Sequence, residues 1–305
     1  MILTVGLTPA WQRVMRFSAV QLGEINRTAE VVCCAAGKAV NAARALGLLG
    51  APHHALSFAG GPTGEALQRD LAARLVVHTL VPTTEATRTC TTLLDNATGS
   101  VTELVEEAGP LSSHELEQFC AAYRALAPRA SIIVLSGSLP PDCSTELYRE
   151  LLTHAGSTPT VVDAHGPALL AALAQRPTFV KPNRQELGRT LGRELADDAA
   201  LRRAMHELNQ RGARWVVVSD GPRTVWISGK SGSYRCAVPP VPVVNTIGSG
   251  DSLAAGIACG LQRGLRSLEA IRFGVAAAVA NVGTLLPAEI DPARVEALVA
   301  TLRLD

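Results

Sequence analysis

The sequence is short of aromatic residues: Phe, Trp and Tyr make up only 4% of its 305 residues. A core without many large rings must be filled by Ala, Val and Leu, which favours helices layered on a sheet. An excess of one charge sign is also missing. There are 28 basic against 27 acidic residues, with no basic block and little aromatic interleaving. That argues against a nucleic-acid surface and leaves room only for a local basic pocket. No long hydrophobic run occurs. The longest nearly apolar stretch, 274–286, is too short to span a bilayer and contains Asn281, so it reads as a buried helix. The segment 1–6 has neither the basic start nor the cleavage pattern of a signal peptide. There is no CxxC pair and no HExxH motif. The seven cysteines are odd in number, which predicts reduced thiols in a cytoplasmic protein. The adjacent Cys33 and Cys34 read as small core residues rather than a redox pair. The scattered histidines predict no transition-metal site.

What is present is a chain that is 47% hydrophobic and 18% charged, enough to bury a large core in one domain spanning 1–305. Short apolar runs predict strands at 2–5, 54–58, 75–81, 132–135, 160–162, 179–180 and 215–218. Helical spacing predicts helices at 37–49, 63–74, 112–126, 144–155, 167–174 and 197–211, and three more near 250–263, 267–285 and 292–303. Alternation of this kind predicts a mainly parallel sheet flanked by helices. A different texture appears at 87–94 and 100–105, two β-rich segments around the turn Asp95-Asn96-Ala97-Thr98-Gly99. With strand-like segments at 14–17 and 28–32, these predict a small sheet standing apart.

Ligands of open parallel sheets bind beyond the carboxyl ends of the strands. Four segments there carry chemistry. Gly248-Ser249-Gly250-Asp251 enters an Ala/Gly-rich helix, whose free N–H groups can converge on an anion. A carboxylate beside an anion site is costly unless it works there, for example by accepting a proton from an attacking hydroxyl. Read alone, the segment is more readily a helix cap. Asn183 and Glu186 follow Lys181-Pro182 and suit either a water-bridged Mg²⁺ or a capping box. Gly37 opens a helix with Lys38 and Asn41 on one face near its positive end, a place that favours an anion or a polyol as partner. It is not a Walker A loop. Ser136-Gly137-Ser138 offers hydroxyls at a strand end, or is a plain turn.

Taken in order, and with Thr87-Arg88-Thr89-Cys90, these segments resemble the motifs of the ribokinase-like carbohydrate kinases over nearly the whole chain. The branch most similar is that of 1-phosphofructokinase and tagatose-6-phosphate kinase. The resemblance implies a three-layer α/β ribokinase-like fold with a β-sheet lid drawn from about 10–33 and 86–107. It implies ATP and Mg²⁺ as cofactors and a sugar phosphate as acceptor, with fructose 1-phosphate going to fructose 1,6-bisphosphate. Tagatose 6-phosphate, another sugar or a nucleoside is the alternative acceptor, and a non-catalytic sugar-phosphate-binding protein on this scaffold is the alternative of another class. By the same resemblance Asp251 is the general base, and Gly248, Ser249 and Gly250 form the anion hole. Asn183 and Glu186 organise Mg²⁺. Lys181, Ser219, Gly221 and Asn281 contact the nucleotide. Gln12, Gly37, Lys38, Asn41, Ser136 and Ser138 contact the sugar, and Arg88 and Arg27 clamp its phosphate. A homodimer through the lid is also implied. Three positions depart from the family pattern. Gln12 stands where an Asp holds sugar hydroxyls, Ala39 stands where Gly is usual and adds a methyl group beside the sugar pocket, and the 219–224 loop is less glycine-rich and places Asp220 and Arg223 near the nucleotide.

Overall fold

The computed structural model describes residues 1–305. In chain order, the first half comprises β1 (Ile2–Val5), β2 (Ala10–Phe17), β3 (Glu30–Ala36), α1 (Lys38–Leu48), β4 (His53–Ala59), α2 (Gly61–Ala73), β5 (His78–Pro82), β6 (Arg88–Asp95), β7 (Ser100–Val105) and α3 (Ser113–Leu126). The second half comprises β8 (Ile132–Ser136), α4 (Leu147–Thr153), β9 (Thr160–Asp163), α5 (Gly166–Ala172), β10 (Phe179–Val180), α6 (Arg184–Thr190), α7 (Asp198–Gln210), β11 (Trp215–Asp220), β12 (Thr224–Gly229), β13 (Gly232–Ala237), α8 (Ser249–Gln262), α9 (Ser267–Asn281) and α10 (Pro292–Thr301).

Nine strands form the central sheet in the order β13-β12-β11-β10-β9-β8-β1-β4-β5. From β11 to β5 every pairing is parallel. The strands alternate between two buried faces, as period-two geometry requires. Leu3, Ile133 and Leu135 join α3, α4, α5 and α7 through Phe119, Leu147, Leu169 and Leu201. Ile2, Ile132 and Val134 join α1, α8, α9 and α10 through Leu46, Ile257, Ile271 and Val295. Each such side chain contributes about 1.5–3 kcal/mol by leaving water. The second core is built from small residues, so helices pack close. A Cβ added to Gly256 of α8 would lie 2.6 Å from the Gly274 Cα of α9.

A second sheet, β3-β2-β6-β7, stands over the carboxyl edge of the first. The hairpin β6–β7 is antiparallel as its turn predicts, and β2 pairs parallel to β6. One face carries Ala10, Gln12, Arg88, Cys90, Thr92, Glu103 and Val105, by alternation and register.

Several expected boundaries shift. The strand expected from Leu75 begins at His78, because Leu75 takes a positive φ of 56° at the turn after α2. The helix expected over 144–155 is only 147–153. The run 274–286 is not one helix: α9 stops at Asn281, whose side chain accepts the Ala288 N–H and thereby folds the chain back. The hairpin β12–β13, antiparallel at the sheet edge, was not expected, since its strands mix polar and apolar residues without a clear period. Cys34 is buried and Cys33 half-buried, both as free thiols. No helix is long and apolar enough to cross a membrane.

Candidate active site

A cavity of about 390 Å³ lies between the second sheet and the carboxyl edge of the first, bounded by Gln12, Lys38, Arg88, Glu103, Asp163 and Asp251 among others. It adjoins a larger one of about 1300 Å³ through shared Asn183, Ser219, Thr246, Ser249 and Gly250. The divide between them is the start of α8. Gly248 holds φ +84°, and a Cβ there would meet the Ala288 N at 2.7 Å, so the turn requires glycine. The N–H groups of Gly250 and Asp251 point out of the first helical turn without a protein acceptor. That is the geometry in which a helix start binds an anion.

Asp251 is buried, and Asn41 Nδ2 donates to its Oδ2 at 2.7 Å. Burial and the like charge of Asp163 push its carboxyl up to about 6, against the pull of Lys38, the Asn41 bond and Lys181. Asp163, at the end of β9, is 1% exposed and lies between two ammonium groups. Lys38 Nζ is 3.3 Å from its Oδ1 and Lys181 Nζ 3.2 Å from its Oδ2. Burial alone would raise the Asp163 carboxyl, but Lys181 and Lys38 hold it below the usual range. Burial would likewise lower Lys38, yet Asp163, Glu186 and Asp251 together raise it. Lys181 is nearly buried, with its ammonium 3.2 Å from where a Gly250 Cβ would sit. Two cations, Lys38 and Lys181, thus share a small volume with the carboxylates of Asp163 and Asp251 and the two free N–H groups of the α8 start.

Gly37, at the start of α1, has φ +102°, and a Cβ there would strike Pro9 Cα at 2.8 Å. It lets β3 turn into α1 beside the 8–10 loop. Lys38, Asn41 and Arg44 follow at three-residue spacing on that helix, so they share a face. Arg44 is buried; its guanidinium donates to the Pro287 and Ala35 carbonyls and lies 3.7 Å from Asp70. Through Pro287 it braces the loop that backs Gly248.

The remaining expected residues divide. Arg88 lines the small cavity, held by bonds from its guanidinium to the Glu106 and Thr8 carbonyls. Ser219 and Gly221 line the larger one. Asn183 and Glu186 form the capping box of α6: Asn183 Oδ1 accepts the Glu186 N–H, and Glu186 Oε2 accepts the Asn183 N–H, both at 2.8 Å. Glu186 Oε1 remains, 3.6 Å from Lys38 Nζ. No group of three or more His, Cys, Asp or Glu side chains is arranged to hold a metal ion.

Other positions are not where the sequence reading put them. Asn281 does not line the larger cavity. It is fully buried and spends its amide on the Ile247 carbonyl and the Ala288 N–H, which ties the 245–248 turn to the 286–288 loop. Ser136 and Ser138 do not reach the small cavity. Ser136 faces a closed niche under Gly37, and Ser138 bonds Thr8. Arg27 lies in the exposed loop 18–29, away from the cavity walls. Asn41 does line the cavity; one amide N–H goes to Asp251, while its Oδ1 has no protein partner. The methyl of Ala39 does not enter the cavity; it packs on Gly6, whose missing side chain makes the space. Asp220 is paired with Arg184 at 2.8 Å and Arg223 at 3.6 Å, so it brings no uncompensated charge to the larger cavity. Asp163, Arg44 and the apolar wall of Pro239, Val241, Ala278, Val279 and Val282 in the larger cavity were not anticipated.

A parallel sheet between helix layers, a second sheet over its carboxyl edge and this cleft define a ribokinase-like α/β protein. The chain belongs to the pfkB family of carbohydrate kinases, whose model matches residues 2–293. Phosphofructokinase-2 from Escherichia coli, in complex with substrates and products, is 30% identical, with a TM-score of 0.90 over 98% of each chain. A protein described as a possible 1-phosphofructokinase from Thermotoga maritima has a TM-score of 0.92 at 22% identity, over 100% of this chain and 99% of that one. Ribokinase from Arabidopsis thaliana, complexed with ribose and ATP, has a TM-score of 0.75 at 19% identity, over 98% of each. The last two likenesses concern the fold.

Proposed function

We propose that this chain transfers the γ-phosphoryl group of ATP to a hydroxyl of a sugar phosphate, and that fructose 1-phosphate is the acceptor. The observation that carries this reading is the buried Asp251 at the start of α8, beside free N–H groups and in one cavity with Lys181, Lys38 and Arg88. The hydroxyl oxygen forms a bond to the γ-phosphorus as the bond from that phosphorus to the β–γ bridging oxygen breaks, and ADP leaves. Asp251 accepts the hydroxyl proton, and Asn41 orients its carboxylate. The Gly250 and Asp251 N–H groups, with Lys181 and Lys38, offset charge on the transferred group. Arg88 takes the phosphate the acceptor already carries. The apolar wall of the larger cavity takes the nucleotide base, and Ser219 and Gly221 its phosphates. Mg²⁺ fits a site of low protein denticity here. The Glu186 oxygen left over from the capping box would hold it through water while nucleotide phosphates fill the rest, and it would neutralise phosphate charge.

In this reading the four-stranded sheet is the lid, and closing it removes water that would otherwise hydrolyse ATP. Its outer side, with Val31 and Leu104 exposed, pairs two copies of the chain. A second acceptor is favoured by the 30% identity to phosphofructokinase-2, a protein solved in complex with fructose 6-phosphate. Both acceptors give the same bisphosphate. Coupled ADP release with MgATP over fructose 1-phosphate, fructose 6-phosphate, tagatose 6-phosphate and the free sugars tests the assignment. Arg88→Ala should cost phosphorylated acceptors roughly ten- to a hundredfold in kcat/KM and spare free sugars. Equal losses for both would remove the clamp, and no acceptor-stimulated release would remove the kinase reading.

A further inference from the structure

Gln12 lines the small cavity from β2, although its side chain is almost wholly enclosed. Its Nε2 is 2.8 Å from Thr92 Oγ1 on the paired strand β6 and 3.5 Å from the Arg13 carbonyl. The carbonyl can only accept, so the atom between these two oxygens is the nitrogen. Thr92 is fully buried, so this bond is screened from water. Gln12 Oε1 has no protein donor, and it is not among the buried polar atoms left without a partner. It is therefore the amide atom left open to the cavity that Gln12 lines.

An amide is normally ambivalent, able to donate or accept, and a free Gln would discriminate poorly between a sugar hydroxyl and a phosphate or carbonyl oxygen. Here the donor half is consumed. We propose that Thr92 is a specificity-determining positioning residue: by holding the Gln12 amide nitrogen it presents only the carbonyl oxygen to the acceptor, so that position 12 selects a hydroxyl donor without a buried charge. The proposal rests on the sugar-phosphate reading above. A carboxylate at 12 would offer the same acceptor, but as a charge in a near-buried position on the sheet face that already carries Glu103. The lock also fixes a flexible side chain before the sugar arrives, which lowers the ordering cost of binding. Gln12 touches the sugar, while Thr92 acts only through Gln12.

The test is calorimetric titration of the full chain with fructose 1-phosphate and, separately, fructose 6-phosphate. Binding is read without turnover, with MgADP as a control ligand. Thr92→Val keeps the shape and removes the hydroxyl; it should weaken sugar-phosphate binding several-fold to about tenfold and leave MgADP binding unchanged. Thr92→Ser should restore affinity to within about twofold. In a Gln12→Ala background, Thr92→Val should add no further loss, because the two residues form one contact. If Thr92→Val does not fold, Thr92→Ala against Thr92→Ser gives the same comparison. Unchanged affinity in Thr92→Val, a Ser variant as weak as the Val variant, or losses that multiply in the double variant would each overturn the lock. Absence of binding of either sugar phosphate to the wild-type chain would overturn the acceptor reading and the lock with it, whereas binding that ignores Thr92 overturns only the lock.

Discussion

Asp251→Asn should make the protein more stable at neutral pH while removing most of its turnover. The carboxyl of Asp251 titrates at about 6 in the folded chain, against 3.8 for an unperturbed aspartate, because burial and Asp163 oppose its charge. The folded state therefore binds this proton more tightly than the unfolded state. Stability from this group is intact below about 3.8, falls as pH rises through the interval, and is fully lost above about 6. A shift of about two units corresponds to roughly 3 kcal/mol, and Asp251 is only 7% exposed, so solvent screening removes little of it. An Asn at 251 keeps the shape and can still accept from Asn41, but never carries the charge. Urea unfolding of both proteins from pH 4.5 to 8 should show the gap smallest, about 1 kcal/mol, at the acid end, where an unfolded aspartate is already mostly ionised. The Asn variant should be ahead by about 2–3 kcal/mol at the alkaline end. The same titration sets activity. A base with a pKa of about 6 is about one-tenth ionised at pH 5, so wild-type kcat/KM should fall about tenfold from its plateau there. A stability difference that does not change with pH, or an Asp251→Asn protein no more stable at pH 8, would refute the claim that this carboxylate is held against its preference.

Two further substitutions probe the backing of the α8 turn. Arg44→Met removes a buried guanidinium from the Pro287 and Ala35 carbonyls and leaves Asp70 with Arg74 alone. It should cost on the order of 3 kcal/mol in urea unfolding and lower kcat, because the loop behind Gly248 loses its brace. Asn281→Leu fills the same volume but orphans the Ile247 carbonyl and the Ala288 N–H; a loss of about 2–3 kcal/mol with nucleotide affinity nearly unchanged would separate its bracing role from an adenine contact. A large loss of nucleotide binding without destabilisation would reverse that assignment.

The sequence disclosed segments whose chemistry is local and hid roles that depend on distant contacts. The start of α8 stood out because two glycines, a serine and an aspartate precede an Ala-rich helix, yet that pattern is also a cap, and only the other segments in order raised it above one. The capping box of Asn183 and Glu186 was legible in the same way, as one of two readings. Asp163 was not. A single Asp after a four-residue strand carries no pattern, and its weight comes from Lys38, which lies 125 residues earlier in the chain. Asn281 was singled out, but its position in a motif could not show that its amide is spent on backbone. Ala39 looked like an intrusion on the sugar pocket because only the fold reveals that Gly6 lies beneath its methyl. The hairpin β12–β13 escaped because β13, at the sheet edge and mostly exposed, needs no strong hydrophobic period.

The contacts also explain why the first turns of α1 bear so much of the site. Lys38, Asn41 and Arg44 recur every three residues, so one helical face meets three separate tasks. Lys38 reaches Asp163 and Glu186, and through Asp163 it is tied to Lys181. Asn41 holds the carboxylate of Asp251. Arg44 braces Pro287 behind Gly248. None of these partners lies on α1 itself; they come from β9, α6, α8 and the loop after α9. Lysine at the positive end of a helix is unfavourable in isolation, and a buried arginine is costly unless each donor is met. Lys38 is offset here by Asp163 and Glu186, and Arg44 by two carbonyls and Asp70, with only its Nε left unmet. Lys38, held in place by distant carboxylates yet partly exposed on the cavity wall, stays available to an anion that arrives from solvent, while the buried Arg44 fixes the loop behind Gly248.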